Sequence, residues 1–249
     1  MAHGHRLRAI DRLIRGDRDG FHADHLALTR FGTELNDHFM LAIAAQWRAT
    51  DALLSGNFDE VEALGAEALT ISNNEPNFFN AYAAQLFWLH YEQGRLDDFL
   101  PLLEDTAEHN PGIVAFRCAL AMSYAHVGEG DRAFEHLDGI CRAGLDRIPI
   151  DWIRTIALAQ LIETAAVLAV DDHLGAVRDA LSPYSGELIV VATGTQCTGA
   201  VDRYLGMAAA RLGETARARA LLEAALALEM SVDAPPLVSR TRSWMNALA

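Results

Sequence analysis

Cys197 and Arg203 stand six positions apart in "LIVVATGTQCTGAVDRYLG" (188–206). A cysteine phosphatase uses that spacing. A helix N-terminus lowers the pKa of the thiol, and the arginine grips two phosphate oxygens in a planar fork. The same stretch offers Gly194 and Gly199 as a G-x-x-x-x-G after an apolar β-branched run, the frame of a phosphate-binding loop. Both frames lack parts. Gln196 replaces the His that precedes such a cysteine, Gly199 comes one residue early, and Tyr204 follows Arg203 in place of Ser or Thr. Ala200 and Val201 fill the positions where a phosphate loop needs Lys and Ser/Thr. The plainer reading makes 187–198 an extended connector between two helical units. Its apolar side chains then cover those helices, Thr198 caps the next one, and Arg203 belongs to that helix. The expectation is no catalytic residue.

Composition narrows the chemistry further. The 249 residues hold 20 basic and 34 acidic side chains, and every basic one is arginine. Without lysine there is neither a Walker A cation nor a Schiff-base amine. A net charge of −14 argues against nucleic acid as a partner, since phosphate contacts rely on clustered cations. The locally basic start (Arg6, Arg8, Arg12, Arg15 and Arg18) reads as a solvated helix face. No signal peptide and no bilayer-length apolar run is visible. Cys118, Cys141 and Cys197 are odd in number and widely spaced, which suits free thiols in a reducing cytoplasm.

The elements that must position any site are helices. Leu7, Ile10 and Ile14 share one helical face, and Leu221, Leu222, Ala225, Leu228 and Glu229 repeat the habit. "LLSGNFDEVEALGAEAL" (53–69), "YEQGRLDDFLPLLEDTA" (91–107), "AHVGEGDRAFEHLDGIC" (125–141) and "ARLGETARARALLEAAL" (210–226) share one layout. Each is a helix end, a turn glycine, a few polar residues and an amphipathic helix. The glycines Gly16, Gly56, Gly94, Gly128 and Gly213 are 40, 38, 34 and 85 residues apart, and a further turn near Asp171–Asp172 divides the last interval. Two helices per period of this length predict an all-α solenoid of about 12–13 helices in antiparallel pairs, forming one domain over 1–249 and coiled as a right-handed superhelix. Ala133, Ala218, Ala68, Ala225 and Pro111 sit at the offsets where a tetratricopeptide repeat has small residues and a helix stop.

The stretch "GAVDRYLGMAAARLGETARARALLEAALALEMSVDAPPLVSRTRSWMNAL" resembles the last repeats of the tetratricopeptide-type sensor region of large bacterial signalling regulators. "VDRYLG" (201–206) and the "APP" at 234–236 carry the likeness, and "WRATDALLSGNFDEVEALGAEAL" (47–69) and "QLFWLHYEQGRLDDFLPLL" (85–103) extend it. Those regulators join a cyclase-like or helix-turn-helix output to a central NTPase and end in such an array. Neither output nor P-loop is present here, so the resemblance implies a sensing or scaffolding array and transfers no catalytic residue.

Other constellations are weaker. His22 and His25 share a helix face, but nothing completes a metal set, and the expectation is no metal and no cofactor. Asp97–Asp98 and Asp171–Asp172 read as helix-start carboxylates. Counted from the turn glycines, Gln46, Trp47, Gln85, Trp88, Tyr91, Met122, His126, Arg203, Tyr204 and Met207 lie on first helices and face a concave groove. Such a lining suits a protein or peptide partner, or alternatively a small ligand, better than a membrane or a nucleic acid. Trp88 and Tyr204 stand out as hot spots, with Gln85 and Arg203 fixing orientation.

Overall fold

A computed structural model describes residues 2–248. It is 77% helix, an all-α fold with little sheet. The described residues form α1 (Ala2–Ile14), α2 (Arg18–Leu35), α3 (His38–Ser55), α4 (Phe58–Ile71), α5 (Pro76–Glu92), α6 (Leu96–His109) and α7 (Val114–His126). They continue with α8 (Gly130–Ala143), α9 (Arg154–Leu168), α10 (Leu174–Leu181), β1 (Leu188–Val191), β2 (Gln196–Ala200), α11 (Val201–Arg211), α12 (Thr215–Ser231) and α13 (Pro235–Ala247). None of these helices is long and apolar enough to cross a membrane.

The turn glycines end first helices as their spacing predicts. Gly16, Gly56, Gly94, Gly128 and Gly213 all have φ between +66° and +85°, where a Cβ is disfavoured. The sixth turn spans 169–173, with Ala169 and His173 taking the left-handed conformation instead. Side-chain caps start several helices: Asp17 accepts from the Gly20 amide at 2.8 Å and Asp37 from Met40 at 3.1 Å.

Contacts divide the chain into two compact units. The first holds the residues up to Gln93, Leu188–Gly199 and Leu228–Ser239; the second holds Gly94–Glu187, Ala200–Ala227 and the residues from Arg240. In the first, α1 to α5 pack each on the next, α3 also meets α5, and β1 lies on α1. In the second, α7 meets α6, α8 and α9, while α9 meets α8, α10 and α11. Within the units, then, α3 touches α5, α7 touches α9, and α9 touches α11.

Three local expectations change. The buried face of α1 is Ala9 and Leu13, while Leu7 is 60% exposed. The arginines of the first turns are more than a solvated face. Arg8 and Arg12 bind the buried Asp24, and Arg18 donates to Asp51, Ser55 and the carbonyls of Val232 and Asp233. The segment 187–198 is not a simple extended connector. β1 and β2 pair as a hairpin, Thr198 lies inside β2, and Ala200 is the N-cap of α11. All nine strand residues are buried, so Leu188–Val191 shows the continuous apolar run of a strand covered on both faces.

Candidate functional site

The polar interior of the first unit is built on two first helices. Gln46, Trp47 and Thr50 lie within one turn of α3, Gln85 lies on α5, and all four are at most 2% exposed. Buried amides and hydroxyls demand partners. They find them in the turn of the hairpin, Ala192–Thr195. The Trp47 indole N–H donates to the carbonyl of Thr193 at 2.7 Å. Thr50 Oγ1 lies 2.8 Å from the Gly194 carbonyl and 2.7 Å from that of Thr195, sharing one proton between them. Gln85 Nε2 donates to Thr195 O and to Gln46 O, each at 2.9 Å. Gln46 Nε2 donates to Thr195 Oγ1 at 2.7 Å. Three consecutive main-chain carbonyls and one hydroxyl are thus read by four side chains.

The turn has little room for other residues. Gly194 has φ +84°, and a Cβ placed on it would stand 2.6 Å from Trp47 Nε1. Trp47 is itself fixed by Phe21, with centroids 5.1 Å apart, and by the edge of His25 at 6.0 Å. Burial pushes the His25 pKa down, with the nearby His22 adding to the effect. His22 instead pairs with Asp51 at 2.8 Å, so the two histidines have separate packing roles. Gln85 Oε1 has no hydrogen-bond partner among the described residues.

The remaining expected groove residues are interior too. The rings of Trp88 and Tyr91 of α5 pack at a tilt of 41° with centroids 4.5 Å apart and are 1% and 7% exposed. In the second unit, Met122, Arg203, Tyr204 and Met207 are at most 2% exposed, and only His126 is open to solvent. His126 Nε2 meets Glu163 Oε1 at 2.9 Å. Arg203 donates to the Tyr204 hydroxyl at 3.0 Å and lies over its ring, and burial raises the tyrosine pKa. As exposed lining, nine of the ten residues offer almost no accessible surface; the apolar bodies that mark a hot spot also mark a core. Gln46, Trp47 and Gln85 do come together, but around a segment of their own chain. Thr50 and Thr193–Thr195 were missed. Their signal was the Thr-Gly-Thr stretch after the apolar run Leu188–Val191, which reads as a turn when phosphate chemistry is set aside.

Cys197 lies in β2, and residues 198–200 continue the strand. The helix that carries Arg203 begins at Val201. No family model, curated protein or solved structure matches the chain.

Proposed function

We propose that the chain is a non-catalytic interaction module of tetratricopeptide-like helical hairpins, which binds a peptide segment of a protein partner on its first helices. One observation carries this reading: Gln46, Trp47, Thr50 and Gln85 already hold a turn of the chain by its main-chain carbonyls. Main-chain recognition of peptides is a recurrent way for interaction modules to gain affinity. The strongly acidic surface and the lack of lysine favour a protein partner over nucleic acid, a membrane or a covalent substrate.

Selection from a displayed peptide library tests the reading. The full chain and its Thr195→Ala variant should both enrich peptides with a shared motif, competed by the free peptide. Enrichment from neither would sink the proposal. Hydrolysis of an aryl phosphate by wild type, abolished by Cys197→Ser, would replace it with an enzyme.

A second reading, a small-ligand sensor, rests on Gln160. This α9 side chain is 5% exposed, its Oε1 has no partner among the described residues, and it lies one turn before Glu163. A donor-bearing ligand would satisfy it. Native mass spectrometry showing one stoichiometric bound molecule would favour this reading; the bare chain mass supports the interaction module.

A further inference from the structure

We infer that the α3/α5 polar face is a main-chain-reading site for segments of the form X-Gly-Ser/Thr, which the chain keeps closed with its own Thr193-Gly194-Thr195. This rests on the peptide-binding reading above and adds to it a ligand class and a form of control.

The ligand class follows from the contacts. Trp47, Thr50 and Gln85 address carbonyls, which every residue has. Only two positions restrict the side chain. The middle residue must be glycine, because a Cβ would stand 2.6 Å from Trp47 Nε1 and the backbone sits at φ +84°. The third must bring a hydroxyl to Gln46 Nε2, as Thr195 does at 2.7 Å. No charge on the segment takes part, so a neutral segment of an acidic or basic partner fits equally.

The closure follows from covalent attachment. The occupying turn is the tip of a hairpin in the same chain as α3 and α5, so its effective concentration at the site exceeds that of a free peptide. A foreign segment meets only the fraction of molecules with the hairpin released, and its apparent affinity falls by that fraction. A two-stranded hairpin has little stability of its own and is held by what it packs against, here the neighbours that bury all nine strand residues, α1 behind β1 among them, and the hydrogen bonds at the tip. Once it leaves, the Trp47 indole N–H loses its acceptor and Gln85 loses one of its own, and a competing main chain restores them.

The test uses the full chain and the fluorescent peptide IVVATGTQ, residues 189–196. Gly194→Ala strains the internal turn against Trp47 and changes no residue of α3 or α5. The peptide should bind this variant about tenfold or more tighter than wild type. Adding Gln85→Ala, or changing the peptide glycine to alanine, should abolish the gain. A variant of native helicity that binds no better than wild type would overturn the inference, as would binding indifferent to Gln85. Should Gly194→Ala not fold, native-state hydrogen exchange on wild type decides. Amides of β1 and β2 exchanging through an opening that spares α3 support the inference; exchange only on global unfolding defeats it. Library peptides that bind while the hairpin stays protected would leave the interaction module standing and refute the closed site.

Discussion

The indole of Trp47 donates its N–H to the carbonyl of Thr193, 146 residues further along the chain and 2.7 Å away. A helix formed early in the sequence is thereby joined to a turn formed late. The bond also fixes the residue after Thr193, since the same indole nitrogen leaves no space for a side chain on Gly194.

Removing only that donor separates the bond from the packing. Trp47→Phe keeps an aromatic body against Phe21 and leaves the Thr193 carbonyl unpaired, which should cost about 1–3 kcal/mol. Trp47→Ala should cost about 3–5 kcal/mol, because a cavity is added. Urea denaturation followed by far-UV circular dichroism measures both. Equal losses would mean that the indole N–H contributes nothing.

Trp88 and Tyr204 should behave as core. Each is 1% exposed, so truncation to Ala should lower stability by about 3–5 kcal/mol and bring forward thermal melting. A wild-type melting temperature with lost peptide binding would instead restore both as surface hot spots.

Acid should weaken the first unit through Asp24. The hydrogen bonds and charge of Arg8, with help from His5 and Arg12, hold this carboxyl at about 2 against an ordinary 3.8. The folded value lies below the unfolded one, so the stabilisation is complete above about pH 4 and is lost as pH falls towards 2. It amounts to roughly 2 kcal/mol. Asp24→Asn should flatten the acid limb of the stability-versus-pH curve while lowering the plateau at neutral pH.

The cysteines of the second unit should be inert. Burial raises the pKa of Cys118 far above the usual thiol value and that of Cys141 to about 11. At pH 8 the thiolate fraction at Cys141 is then about a thousandth, and a thiol reagent should label neither residue in the folded protein on the timescale that labels both in urea. Fast labelling of the native chain at Cys118 would show that the helix packing around it opens.

Much of the fold was legible because helical hairpins are local. A turn glycine, a helix-start carboxylate and an apolar stripe lie within twenty residues of one another, and five glycines sufficed to mark five of the six turns between paired helices. The absence of lysine and the acidic balance were equally plain. The site was legible only in halves: Gln46, Trp47 and Gln85 could be placed on first helices, but nothing local says what they face. The tertiary structure decided that the facing partner is Thr193–Thr195, and that "LIVVATGTQC" is a buried hairpin rather than a phosphate loop or a bare connector. The physical reason is range. Helix propensity and capping act over a few residues, whereas these hydrogen bonds span 110 to 149 residues of sequence and require α3 and α5 to lie together.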